Sequence, residues 1–180
     1  MPTLGVIADT HIPQRLASLP EGVSEAFRGV DLILHAGDLT DMRVLAELDR
    51  MAPTLAVRGN ADLFNRSLPW RRTLEVGGKR LGLIHGHGSW LRYALRKWQD
   101  ILMFPYRADV YAAGARAAFE RDPVDAVVFG HTHRPCCKSI GGVLLFNPGS
   151  IAPDYYTTRG PQVGLLHVER DSLRTEFIEV

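Results

Sequence analysis

Phe129-Gly130-His131-Thr132-His133 is the stretch from which the architecture can be read: an apolar run stops at a glycine, and two histidines follow. Val127, Val128 and Phe129 read as a buried strand, and Gly130 lets the backbone turn where that strand ends. Two imidazoles on such a turn can serve one site or two adjacent ones.

The same arrangement recurs upstream. Thr3 to Ala8 is an apolar strand that gives way to Asp9-Thr10-His11, and Asp31 to His35 is a second that runs into Ala36-Gly37-Asp38. Leu55 to Val57 ends in Arg58-Gly59-Asn60-Ala61-Asp62, and Lys79 to Ile84 exits into His85-Gly86-His87-Gly88. In an α/β fold with helical crossovers, the carboxyl ends of parallel strands lie along one edge, where sites collect.

Between these strands the spacing predicts helices over Val23 to Arg28, closed by Gly29, from Asp41 as N-cap to about Met51, and over Asp109 to Glu120. Trp90, Leu91, Ala94, Leu95, Trp98, Ile101 and Leu102 also recur at helical spacing, with Arg92, Arg96 and Lys97 interleaved. That stretch reads as an amphipathic helix on the core, as a cover beside the site, or as a homo-oligomer contact through the Ser89 to Arg107 region. Hairpins are predicted for Leu74 to Ile84 across Gly77-Gly78 and for Lys138 to Phe146 across Gly141-Gly142, with a last pair of strands at Val163 to Glu169 and Leu173 to Ile178. Strand and helix alternate in the first half, and hairpins dominate the second. The expected class is therefore α/β (α+β by some schemes), a two-sheet β-sandwich flanked by helices, in a single domain spanning residues 1–180.

Composition narrows the function. With 46% hydrophobic and 23% charged residues and a formal net charge of +1, the chain has no general electrostatic case for coating nucleic acid or a membrane surface. Cys136 and Cys137 are sequence neighbours and read as reduced thiols on or near a strand. No charged segment followed by an apolar signal core opens the chain, so the expected compartment is the cytoplasm.

Asp9, His11, Asp38, Asn60, His85, His131 and His133 offer oxygen and nitrogen donors without a thiolate. That set suits manganese, iron, cobalt, nickel or zinc in a catalytic role better than a structural cysteine zinc. Seven groups are too many for one open ion and about right for two sharing a carboxylate. Such a pair grips phosphoryl oxygens and acidifies a bridging water to a hydroxide near neutral pH.

In their order, Asp9-x-His11, Gly37-Asp38, Gly59-Asn60, His85-Gly86-His87 and Gly130-His131-Thr132-His133 resemble the signature of the calcineurin-like metallophosphoesterases. The small size, the paired hairpins and the Asn147-Pro148-Gly149-Ser150 turn resemble the YfcE-type phosphodiesterases in particular. The resemblance runs from Asp9 to about Ser150 and implies a four-layer metallophosphoesterase fold. It implies one metal held by Asp9, His11 and His133, a second by Asn60, His85 and His131, and Asp38 bridging. Manganese is the expected ion, and Asn60 is expected to bind a metal through its oxygen while its amide donates to a substrate phosphate. Many superfamily phosphatases carry a histidine after the Asn where this chain has Ala61, so His87 and Asp62 become the candidates for leaving-group protonation. His87 reads equally as a residue that hydrogen-bonds behind the ligands, and Asp62 as one that orients a ligand or caps a turn.

Arg15, Arg66, Arg71 and Arg72 are candidate phosphate contacts or ordinary solvated surface. His35 reads as a packed core residue, His167 lies outside every motif, and Asn147 and Ser150 are expected to shape a turn beside the metals. The function expected is a metal-dependent phosphodiesterase acting on small phosphodiesters, nucleotide-derived ones among them, with no membrane partner. The alternatives are a scaffold, as in the retromer subunit of the same fold, with Trp90, Trp98 and Phe104 as recruiting surface, or a phosphomonoesterase or nuclease of the superfamily. The near-zero net charge and the lack of a dedicated nucleic-acid module argue against the nuclease.

Overall fold

Alternation along the first strand sets the layers, because successive side chains of a strand point to opposite faces. In the computed structural model, which describes residues 1–63, 65–88, 108–153 and 160–180, Leu4 and Val6 join Leu34, Leu83, Val128 and Phe146 on one side. Ile7 joins Val23, Phe27, Ile33, Val44 and Leu48 on the other.

The strands are β1 (Thr3–Ile7), β2 (Leu32–His35), β3 (Thr54–Ala56), β4 (Arg71–Val76), β5 (Lys79–Ile84), β6 (Ala126–Val128), β7 (Cys136–Ile140), β8 (Val143–Asn147), β9 (Gln162–Val168) and β10 (Leu173–Glu179). The helices are α1 (Glu21–Ala26), α2 (Arg43–Leu48) and α3 (Ala108–Ala117). Two five-stranded sheets form, in the orders β10-β9-β1-β2-β3 and β4-β5-β6-β8-β7. In the first, β1, β2 and β3 are parallel and β9 and β10 antiparallel to their neighbours. In the second, β5, β6 and β8 are parallel and β4 and β7 antiparallel at the edges.

The sheets face each other across the cluster of Leu4, Val6, Leu81, Leu83, Phe146 and Leu166. Helices α1 and α2 cover the outer face of the first sheet, and α3 covers that of the second with Ala112, Ala115 and Phe119. The result is the expected four-layer sandwich. A glycine seats each large ring: a Cβ at Gly5 would meet Phe27 at 2.8 Å and one at Gly82 would meet Phe119 at 2.7 Å. Losing either ring would cost about 3–5 kcal/mol.

Element ends differ from expectation by a few residues. Helix α1 begins earlier, directly after Pro20, and α2 is shorter, although Asp41 does accept the Arg43 N–H at 2.8 Å. Strand β4 starts at Arg71 rather than Leu74, because an edge strand that alternates exposed and half-buried residues needs no continuous apolar run. Both hairpin turns place their glycine pairs at positive φ, Gly77 and Gly78 at 57° and 80° and Gly141 and Gly142 at 58° and 77°, as a tight two-residue turn requires. The helix expected within Ser89 to Arg107, and with it Trp90, Trp98, Phe104 and the oligomer contact, lies outside the described residues. Among the described residues no helix is long and apolar enough to cross a membrane.

Candidate metal centre

Parallel strands from both sheets end at the same rim. Residues just past β1 supply Asp9 and His11, and those past β2 supply Asp38. Asn60 follows β3, His85 follows β5, His131 and His133 follow β6, and Asn147 closes β8.

The imidazole Nε2 atoms converge on two carboxylates. Asp38 Oδ2 lies 3.5 Å from His11 Nε2 and 3.4 Å from His85 Nε2. Asp9 Oδ1 lies 3.5 Å from His133 Nε2 and 3.9 Å from His85 Nε2. His11 Nε2 and His133 Nε2 are 3.4 Å apart, and Asn60 Oδ1 is 3.1 Å from His85 Nε2. Two groups have ligand atoms all within 4.8 Å of one another: Asp9, His11 and His133, and Asp9, Asp38 and His85. The His131 ring packs 5.1 Å from that of His85, between centroids.

Backbone hydrogen bonds aim these groups. His85 Nδ1 sits 2.7 Å from the Ala36 carbonyl; donation there turns Nε2 toward the carboxylates, where it could bind a metal once its own proton is displaced. The His131 N–H donates to Asp9 Oδ2 at 2.9 Å, and the Ala61 N–H donates to Asp38 Oδ1 at 2.7 Å. Asp62 accepts from the backbone N–H groups of Asp38, Gly59 and Thr40 at 2.8, 2.8 and 2.7 Å. Asn147 donates to the Gly130 carbonyl at 2.7 Å and to Thr132 Oγ1 at 3.0 Å, and Ser150 donates to the Asp9 carbonyl at 3.1 Å. These two residues shape the turn beside the cluster, as expected from sequence.

The cluster is strained. Among the described residues the non-glycine positions at positive φ are Asp9, His11, Asp38, Thr40, His131 and His133, at 53°, 47°, 58°, 68°, 69° and 55°. Each costs about 1–2 kcal/mol for a residue with a Cβ. All but Thr40 are candidate ligands, so the strain is concentrated where the side chains must be aimed.

Charge is unbalanced as well. Burial raises the Asp9 carboxyl to about 6 despite the neighbouring His133 and His85, and its Oδ1 is buried without a hydrogen-bond partner. Burial works against ionisation of Asp38, yet the charge and hydrogen bond of His85, aided by His11, hold its carboxyl well below the ordinary range. Burial would lower His85, but Asp38 and then Asp9 outweigh it and raise the imidazole to about 9. His131 is pushed well below its ordinary value by burial and then by His85. A buried carboxylate oxygen without a hydrogen-bond partner, on a residue grouped with His11, His133, Asp38 and His85, is what a divalent cation would satisfy, and the donor set fits a borderline metal.

The two general-acid candidates have other surroundings. Asp62 is buried and its oxygens are taken by three N–H groups. His87 is buried with its ring 4.3 Å from Trp70 and 5.2 Å from His85, and burial followed by the charge on His85 pushes its imidazole down to about 3.

His35 is a core residue, its Nε2 3.2 Å from Thr10 Oγ1 and its Nδ1 accepting the Gly37 N–H at 3.1 Å. Arg71 donates to the Ala118 carbonyl and Arg72 to the Ala56 carbonyl, so each guanidinium ties its strand to a neighbouring segment of the fold. Arg15 reaches the Pro153 carbonyl at 3.5 Å. His167 lies at Thr3 and Glu176, on the strands far from the rim. Cys136 and Cys137 are free thiols on β7.

Sequence reasoning missed three neighbours. Arg58 lies over the Trp70 ring at 5.3 Å, and Tyr111 packs 4.9 Å from the His131 ring. Tyr111 could have been found from the i, i+4, i+8 spacing of Tyr111, Ala115 and Phe119. Arg58 directly precedes the Gly59-Asn60 motif. Trp70 carries no local signal, since only the tertiary fold brings it to His87.

A family model described as the calcineurin-like phosphoesterase superfamily domain matches residues 3–171. A protein of Methanothermobacter thermautotrophicus named as a probable metallophosphoesterase is 36% identical over 97% of this chain and 91% of its own length. A phosphodiesterase of Methanocaldococcus jannaschii is 24% identical, covering 98% of this chain and 99% of that protein. Among solved structures, Vps29 of Chaetomium thermophilum superposes with a TM-score of 0.72 at 21% identity, covering 99% of this chain and 97% of that one. At that identity the likeness is one of fold.

Proposed function

The chain belongs to the calcineurin-like phosphoesterase superfamily, and on that premise we propose that it is a phosphodiesterase of small phosphodiesters working with two divalent metal ions, manganese foremost. The observation that carries the reading is the convergence of His11, His85 and His133 Nε2 on the buried carboxylates of Asp9 and Asp38. Asp9, His11 and His133 would hold one ion, Asn60, His85 and His131 the other, and Asp38, standing between His11 and His85, would serve both. When bound, such a pair supplies a nucleophile at neutral pH and neutralises charge growing on the phosphoryl oxygens.

The chain's own residues do the rest. Asn60 turns its oxygen toward His85 and leaves its amide to donate to a phosphate oxygen. Asp62 is a positioning residue, pinning the Asp38 and Gly59 loops to each other. His87, held neutral by its burial, is a poor proton donor, so its part is to pack behind His85 and His131, and the leaving group takes its proton from water. The phosphodiesterase relative supports a diester over a monoester. A cytoplasmic setting is proposed with it.

The experiment is a panel of bis(p-nitrophenyl) phosphate and p-nitrophenyl phosphate, each assayed on the purified chain with manganese, iron, cobalt, nickel and zinc. Faster metal-dependent turnover of the diester, abolished in Asp38→Ala, is the expected result. Absence of metal-dependent turnover of either ester would overturn the proposal.

A further inference from the structure

Beside the cluster lies a cavity of about 400 Å³ lined by Arg58, Gly59, Leu63, Arg66 and Trp70. Its size is that of a small-ligand pocket. We propose that this cavity receives the leaving-group half of the diester and is built for a planar ring that carries an anionic group of its own, as a nucleoside monophosphate does. Its place in the reaction rests on the diesterase reading; its ligand chemistry rests on the cavity's own residues.

Gly59 forms part of the wall, and the next residue, Asn60, has its oxygen 3.1 Å from His85 Nε2. Trp70 touches His87, ring centroids 4.3 Å apart, and His87 in turn lies 5.2 Å from His85. A group leaving phosphorus on the Asn60 side therefore enters this cavity.

Two guanidiniums line the wall, and among the described residues neither Arg58 nor Arg66 is ion-paired, whereas Arg71 and Arg72 nearby in sequence are committed to backbone carbonyls. The Arg58 N–H donates to the Pro69 carbonyl at 2.9 Å, which fixes the backbone beside Trp70 and keeps the guanidinium over the indole at 5.3 Å. Leu63, 53% exposed, adds an apolar surface. Aromatic and aliphatic faces take up a ring by stacking, and guanidinium forks take up a phosphate. Two guanidiniums side by side match the oxygens of a single terminal phosphate.

Calorimetry on the full chain in EDTA, with adenosine 5′-monophosphate, adenosine and inorganic phosphate as probes, tests the pocket apart from any metal. The nucleotide should bind about tenfold or more tighter than either fragment. Arg58→Gln with Arg66→Gln should remove that advantage while adenosine binding changes little, and Trp70→Leu should weaken both nucleotide and nucleoside. Circular dichroism of each variant checks that it is folded, and the single variant Arg66→Gln, at an exposed position, keeps the test available if the double one is not. Nucleotide binding no tighter than adenosine, or unaffected by the arginine variants, overturns the inference. Binding that behaves as expected in a chain that turns over no diester would sustain the pocket and sink the diesterase reading; turnover of diesters without nucleotide binding would do the reverse.

Discussion

A Cβ at Gly59 would stand 2.0 Å from Asp38 Oδ1 and 2.4 Å from the Asp38 nitrogen. The loop after β3 therefore lies against the loop after β2 with no room for a side chain, and the carboxylate proposed to serve both metals is held by that contact.

Gly59→Ala should accordingly displace Asp38 rather than be absorbed. We expect a loss of stability of about 1–3 kcal/mol from overpacking together with at least a tenfold loss of manganese affinity. Thermal unfolding and calorimetric titration measure the two, and wild-type metal affinity in a folded variant would contradict the placement.

Metal should stabilise the folded chain, since the ligands come from loops that only folding brings together. Ion at about 100 times its dissociation constant should contribute about 2.7 kcal/mol, a rise of roughly 5–11 °C in the thermal midpoint for a chain of this size. EDTA should reverse it, and His133→Ala should remove most of the response. A midpoint indifferent to manganese in the wild-type chain would count against the site.

In the metal-free chain, stability should fall as pH rises from about 6.5 to 9. The His85 imidazole is raised to about 9 by its two buried carboxylates, so its stabilising proton is fully present below the unfolded value and lost as pH climbs through the folded one. On the acid side His35 and His87, both pushed down to about 3 by burial, and His131, pushed well below its ordinary value, stay neutral when folded. Unfolding takes up their protons as pH falls below about 6.5, and the rise of Asp9 only partly offsets this. Denaturant unfolding in EDTA at pH 6.5 and 9 should thus show a decline on the alkaline side, and His85→Asn should flatten it.

Arg72→Ala should cost about 1 kcal/mol, because its Nε donates to the Ala56 carbonyl at 2.9 Å on the edge strand β3. KM for a diester should change less than twofold. A large rise in KM with stability unchanged would instead return Arg72 to the substrate.

The sandwich was legible in the sequence because alternation and turn chemistry are local. Each glycine pair marked a hairpin, and each apolar run ended in a polar residue that could not continue into a core. Strand β4 was harder, its exposed Arg71 and Thr73 hiding the alternation. Arg71 and Arg72 read as solvated surface or candidate phosphate contacts for the same reason: nothing nearby in sequence names Ala118 or Ala56 as their acceptors.

By itself the sequence determined which chemical groups stand at the strand ends, since ligand types and turn glycines are written in the chain. Only the tertiary structure decided how they are aimed and what their charges are. Asp38 meets His85 across 46 intervening positions, and Asp9 meets His133 across more than a hundred. The buried carboxylates of Asp38 and Asp9 then drive His85 up against its burial, while burial and the charge on His85 drive His87 down, although both are histidines of one short motif. Electrostatic energy depends on distance and solvent exposure, and neither quantity exists until the two sheets have closed on each other.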